Sequence, residues 1–260
     1  MEELYMKTSA IVLAAGKGTR MKSELPKVLH PVCEKPMILH IIDKLDAIGV
    51  QDIIAVVGHK AEKVKEVVGL RVKYAEQAEQ KGTGHAVMQA VPYLNKEGHT
   101  IIITGDTPLI QEKTLLALIE NHTQANNDGT VLITKFDDPT GYGRIIRNSS
   151  EEVVGIVEEK DANEDQKKIK EVNTGIFCFK NKSLIDGLPL LNNNNVQNEY
   201  YLTDMVSIIN KQGKKFGSYL LSDNEQVMGV NDREQLAQAE YIMKKYNSVS
   251  VRGKEVEKFS

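Results

Sequence analysis

Short runs of Ile, Val and Leu recur along the chain at positions 9–13, 52–57, 100–104, 130–136 and 172–179, and most are apolar at successive positions. Strands with one wet face alternate in polarity; strands covered on both faces do not, so these runs predict a largely parallel sheet under helices. The intervening stretches 37–48, 61–68, 84–91 and 112–122 carry Ile, Leu, Val and Ala at three- and four-residue spacing, the stripe of a helix lying on a sheet. Together they predict an α/β protein whose first half is repeated βα units. From Asp137 to Val157 the pattern changes to turn residues and short strands, with Gly141, Gly143 and Gly155, and predicts a small antiparallel insertion forming a wall or lid. Asn192 to Asn195 reads as a polar loop, and helices are expected again over 203–212 and 232–246. The charged segment 247–260 lacks clear periodicity and reads as a linker or frayed end, giving one domain over 1–246 and a tail over 247–260.

Composition narrows the function classes. With 41% hydrophobic and 27% charged residues over 260 positions, the chain can bury a sizeable core. A formal net charge of -3 supplies no basic field, so neither nucleic acid nor a membrane surface is an expected partner. Cys33 and Cys178 lack C-x-x-C spacing and are read as buried, reduced packing residues. The segment Met1 to Lys7 is acidic and the apolar run Ala10 to Ala15 is too short for a signal peptide or a span, so a cytoplasmic location is expected.

The chemistry is concentrated in Leu13-Ala-Ala-Gly-Lys-Gly-Thr-Arg-Met21, directly after the first expected strand. Gly16 and Gly18 allow a tight turn that points successive N–H groups at an anion, while Lys17, Arg20 and Lys27 bring positive charge to the same mouth. The string is neither a Walker A loop nor G-x-G-x-x-G. Followed by Leu25-Pro-Lys-Val-Leu29, it resembles the signature of the sugar-phosphate nucleotidyltransferases. Further segments appear in that family's order: Glu79-Gln-Lys-Gly-Thr-Gly-His-Ala86, Gly105-Asp-Thr-Pro-Leu109, Asp138-Pro-Thr-Gly-Tyr-Gly-Arg-Ile145, Ile156-Val-Glu-Glu-Lys-Asp-Ala162, Asn173-Thr-Gly175, Glu199-Tyr-Tyr-Leu-Thr-Asp204 and Gly229-Val-Asn-Asp-Arg233. From about Ser9 to about Tyr246 they resemble the uridyltransferase domain of bacterial N-acetylglucosamine-1-phosphate uridyltransferases.

That resemblance implies a Rossmann-like, mostly parallel mixed sheet flanked by helices, the nucleotide-diphospho-sugar transferase fold. It implies transfer of UMP from UTP to N-acetylglucosamine 1-phosphate, with Mg²⁺ held by Asp106 and Asn231. Arg20 and Lys27 would hold the triphosphate; Leu13, Ala14, Ala15, Gly16, Gln77, Gly82 and Thr83 would line the nucleotide pocket; Gly143, Glu158, Asn173 and Thr203 would line the sugar pocket. By residue type alone, Asp106 and Asn231 are equally helix caps, Arg20 and Lys27 surface charges, Gln77 a solvated amide and Glu158 a surface carboxylate. His30, His40, His59, His85, His99 and His122 show no metal-ligand grouping. Tyr200 and Tyr201 are expected to pack on the pocket wall.

Two positions depart from the family's pattern. Glu34 and Asn198 stand where glycine is common, and a positive φ there would suit Asn198 better than Glu34. The family also continues into a left-handed β-helix that acetylates glucosamine 1-phosphate; this sequence ends at Ser260 with no hexapeptide repeat. The expectation is therefore no acetyl transfer, and a monomer or weak dimer. Glucose 1-phosphate with UTP or dTTP remains the alternative substrate pair, and a catalytically silent sugar-nucleotide-binding regulator the alternative class.

Overall fold

The structure is a computed structural model that describes residues 8–257, with side chains described as far as 248. The acidic segment Met1 to Lys7 lies outside the described residues. In chain order the elements are β1 (Thr8–Ala14), the hairpin strands β2 (Pro31–Val32) and β3 (Lys35–Pro36), α1 (Met37–Ala47), β4 (Asp52–Val57), α2 (Ala61–Val68), β5 (Lys73–Glu76), α3 (Thr83–Ala90), β6 (His99–Thr104), α4 (Glu112–Gln124) and β7 (Gly129–Lys135). There follow β8 (Arg144–Arg147), β9 (Val153–Val157), α5 (Glu164–Lys167), β10 (Glu171–Lys180), α6 (Asn181–Gly187), α7 (Met205–Lys211), β11 (Phe216–Leu220) and α8 (Arg233–Glu257).

The main sheet runs β11-β7-β10-β6-β1-β4-β5. Strands β6, β1, β4 and β5 are parallel, and β10 lies antiparallel between β6 and β7. Period-two sorting builds the two layers of core. Ala10, Val12, Ile53, Ala55, Ile101 and Ile103 face α1, α2 and α4; Ile11, Ile54, Val56 and Ile102 face α3, α6 and α7. Both faces are covered, which is why β1, β4 and β6 read as continuous apolar runs.

The chain moves from β1 through β4 to β5 on one side, then returns to place β6 on β1's other flank. Such a reversal opens a crevice at the carboxyl ends of the strands. Here the loop after β6 meets the end of β1, Gly105 N donating to Leu13 O at 2.8 Å. Beneath them a third cluster joins Val32, Met37, Leu109, Val230, Ala239, Ile242 and Met243. It ties the hairpin, the loop after β6 and α8 together, and Val230 N donates to Asp106 O at 2.9 Å.

Most expected elements are present within a residue or two. The first residues of the expected 203–212 helix form a separate 3-10 turn, Leu202–Asp204, ahead of α7. The expected insertion is the antiparallel pair β8–β9, docked on β10 through Arg144 opposite Val172. Helix α8 runs from Arg233 to Glu257, past the expected helix end at 246, and 258–260 lie outside the described residues. Cys178 is buried as expected, but Cys33 is only half-buried, because it occupies the β2–β3 turn. That two-residue turn has positive φ at both Cys33 (47°) and Glu34 (66°), the primed geometry that matches strand twist. Asn198 also has positive φ, at 53°.

Candidate active site

The crevice over β1 and β6 is a cleft of about 270 Å³ lined by the loop Leu13–Gly16, by Lys27 and Val28, by Gln77, Gln80, Gly82 and Thr83, and by Thr104, Asp106 and Glu199. Gly18 closes the loop onto its floor. Its φ is +60°, and a Cβ there would lie 2.6 Å from Lys27 Cβ, so a glycine brings this loop against Lys27. Pro26 and buried Val28 and Leu29 then fix the 3-10 turn that carries Lys27.

Lys27 Nζ forms an ion pair with Asp106 Oδ2 and donates to Asn231 Oδ1 at 3.0 Å. Two residues separated by 125 positions thus converge on one ammonium. Their alternative reading as caps does not hold. The cap before α8 is Asp232, whose Oδ1 accepts Gln235 N at 2.9 Å, while Gln235 Oε1 accepts Asn231 N at 2.7 Å. Asn231's own side chain is left to face Lys27. Helix α4 begins after Gln111, away from Asp106.

A hard divalent cation suits this donor set. Mg²⁺ is commonly held by one or two protein oxygens and completed by phosphates and water. The carboxylate of Asp106 and the amide oxygen of Asn231 supply two oxygens directed at one point. Among the described residues no group of three or more His, Cys, Asp or Glu could hold a metal.

Gln77 follows β5 and is 3% exposed, not a solvated amide. Its Nε2 donates to Gly82 O at 3.0 Å and contacts His85 Nδ1 at 3.0 Å, which leaves the amide oxygen as the acceptor it offers. Gly82, with φ +102°, has no room for a Cβ, which would lie 2.6 Å from Tyr200 O. Thr83 Oγ1 accepts Leu202 N at 3.0 Å, and Gly84 N donates to Tyr200 O at 2.8 Å. These bonds stitch the Gly82–Thr83 turn to the segment carrying Thr203.

The second group assembles next to that seam. Thr203 Oγ1 donates to Glu158 Oε1 at 2.9 Å, and Asn173 N donates to Gly143 O at 2.8 Å. A Cβ on Gly143 would lie 3.3 Å from Glu158 Oε2 and 3.6 Å from Asn173 Cβ, so all four residues share one surface. Burial pushes the Glu158 carboxyl up, the Thr203 bond opposes this, and Asp161, Asp204 and Glu199 raise it further. Asn173 Oδ1 accepts Gly175 N at 2.9 Å, so its oxygen is engaged within that turn. Tyr201 donates to Asp161 Oδ2 at 3.1 Å and, being largely buried, is pushed up to about 12.

Arg20 is different. It is exposed on the loop, does not line the cleft, and makes no hydrogen bond or ion pair among the described residues. The sequence reading missed Thr104, Gln80 and Glu199 in the cleft; of these, Gln80 and Glu199 lie inside motifs it had singled out. It also missed buried Arg144, which pairs with Glu159 at 2.7 Å and holds the insertion in shape by donating to Lys167 O.

A family model described as nucleotidyl transferase matches residues 9–232. The chain belongs to the nucleotidyl transferase family. It is 53% identical over 240 residues to the bifunctional protein GlmU of Geobacillus thermodenitrificans, covering 92% of this chain and 52% of that protein. It is 51% identical over 240 residues to the bifunctional protein GlmU of Clostridioides difficile, with the same two coverages. The chain thus spans about half the length of the curated relatives it matches. A crystal structure of a putative glucose-1-phosphate thymidylyltransferase from Bacillus anthracis, in complex with a sucrose, superposes with a TM-score of 0.72 at 21% identity, covering 90% of this chain and 94% of that one. At that identity the likeness bears on the fold, and it agrees with the mixed, mostly parallel sheet found here. Among the described residues no helix is long and apolar enough to cross a membrane.

Proposed function

We propose that this chain transfers UMP from UTP to N-acetylglucosamine 1-phosphate, giving UDP-N-acetylglucosamine and pyrophosphate, with Mg²⁺ at Asp106 and Asn231. The observation that carries this reading is the pair of adjoining groups: Lys27, Asp106 and Asn231 at the phosphate loop, and Gly143, Glu158, Asn173 and Thr203 beside the Thr83–Leu202 seam. Identity above 50% to the GlmU proteins supports it.

An oxygen of the sugar phosphate would attack the α-phosphorus of UTP in line, forming one P–O bond as the bond to the pyrophosphate oxygen breaks. A phosphate monoester has a second pKa near ~6, so the nucleophile needs no general base at neutral pH. Positioning and charge neutralisation therefore carry the catalysis. Lys27 would hold the triphosphate, and Arg20, free on the loop, would close on it from the solvent side. Bound Mg²⁺ would supply further neutralisation of the phosphate oxygens. The Gln77 amide oxygen, with its nitrogen engaged elsewhere, would accept the N3–H of uracil and repel the bare N3 of cytosine. Glu158, Asn173 and Thr203 would hydrogen-bond the sugar's hydroxyl and N-acetyl groups.

The experiment is a product assay with UTP or dTTP crossed against N-acetylglucosamine 1-phosphate or glucose 1-phosphate. Selective formation of UDP-N-acetylglucosamine is expected. Turnover only with another pair would move the specificity, and binding of UTP without turnover by any pair would favour a regulatory role.

A further inference from the structure

Lys27 is assigned above to the triphosphate, yet its ammonium bonds both proposed metal ligands, donating to Asn231 Oδ1 at 3.0 Å and pairing with Asp106. Both members of the pair are well covered, with 17% of the Lys27 side chain and 13% of that of Asp106 exposed, so water screens the contact little. A divalent cation bound to Asp106 and Asn231 needs those oxygens at about 2.1 Å. The ammonium takes that same point, and two positive groups cannot share it. The Lys27 backbone cannot retreat, because Gly18 packs on its Cβ and the turn is anchored by buried Val28 and Leu29. Only the side-chain stem can swing, and the cleft above it is lined by the backbone of Leu13–Gly16, where a polyphosphate would lie.

We propose that Lys27 is a placeholder for the metal: it keeps free divalent cations off Asp106 and Asn231, and yields only when a polyphosphate takes its ammonium over, so that metal and nucleotide enter together. This rests on the reading of Asp106 and Asn231 as metal ligands. Its consequence is thermodynamic. Nucleotide and metal should each strengthen the other's binding, and much of that coupling should pass through one side chain.

The test is a Mn²⁺ titration of the folded chain without nucleotide, followed by electron paramagnetic resonance of free Mn²⁺. Wild type is compared with Lys27→Met and Lys27→Gln, the latter keeping a hydrogen-bond donor in case the apolar variant misfolds. Both variants are expected to bind Mn²⁺ at least tenfold more tightly than wild type, and Lys27→Gln/Asp106→Ala to lose the gain. In EDTA the same single variants should bind UTP more weakly. Wild-type Mn²⁺ affinity in folded Lys27→Gln would overturn the placeholder. A parallel measurement separates the two readings: water-proton relaxation of wild type and Asp106→Ala with Mn²⁺ and UTP. If Asp106→Ala abolishes the ternary complex, the metal site stands whatever Lys27 does. If it does not, the metal-ligand reading falls and the placeholder with it.

Discussion

Substituting Gly18 by Ala should damage catalysis through Lys27 without removing any functional group. Two costs arise at this position. The left-handed backbone at φ +60° costs an L-residue about 1–2 kcal/mol. The new Cβ would also stand 2.6 Å from Lys27 Cβ, about 0.8 Å short of ordinary van der Waals contact, so the turn bearing Lys27 must move. A displacement near 1 Å in a positioning group costs on the order of 100-fold in rate. The expected result is a loss of about 100-fold in kcat/KM for UTP, with a stability loss of about 2–5 kcal/mol by urea denaturation, the sum of the two costs. Gly49 separates the two costs: its φ is +83°, but a Cβ there meets nothing within 4 Å. Gly49→Ala should lose about 1 kcal/mol and keep full activity. If Gly18→Ala retained kcat/KM within threefold of wild type, or matched Gly49→Ala in both assays, the packing of the phosphate loop on Lys27 would not set catalytic geometry.

Glu34→Gly should stabilise the chain by about 0.5–1 kcal/mol in urea, since residue 34 holds φ 66° in the hairpin turn; an unchanged midpoint would contradict this. Thr203→Val removes the donor to Glu158 and should raise the KM for the sugar phosphate about tenfold while leaving that for UTP unchanged. Equal effects on both substrates would argue against a sugar-side role. His122 is buried against Thr130 and His99, and burial first, then the His99 charge, lower it to about 3. Because the unfolded state takes up this proton below about pH 6.5 and the folded state does not, stability should fall on acidification from pH 6.5 towards 3, by about 2 kcal/mol at pH 5. Urea midpoints at pH 7 and 5 should differ less in His122→Asn; an identical pH dependence in the variant would refute the assignment.

The central strands were legible because burial on both faces makes a strand apolar throughout: β4 was expected at its observed bounds, and β1 and β6 within a residue at either end. The edge strands β5 (Lys73–Glu76) and β11 (Phe216–Leu220) were not, since an edge strand is short and half-wet, and Lys73, Gly217 and Ser218 dilute any apolar signal. In the site, the phosphate loop announced itself through Gly16 and Gly18, contiguous in sequence and tied to a strand end. Asp106 and Asn231 could be paired only by resemblance, because their meeting depends on β6 and α8 converging over the cluster of Val32, Leu109 and Val230. By residue type Asn231 was the expected cap of this helix; the Asp232–Gln235 bond gives that place to Asp232 instead. Gln80 and Glu199 gave no signal of their own, being polar residues whose place in the cleft comes from the fold around them.

The most direct measurement is pyrophosphate release from UTP and N-acetylglucosamine 1-phosphate, with and without Mg²⁺, by wild type and Asp106→Ala. The account expects release that requires Mg²⁺ and falls by about 10³-fold in the variant, the scale of losing one charge-stabilising group at the reacting phosphate. Release that persists within tenfold in Asp106→Ala, or that proceeds equally without Mg²⁺, would contradict it.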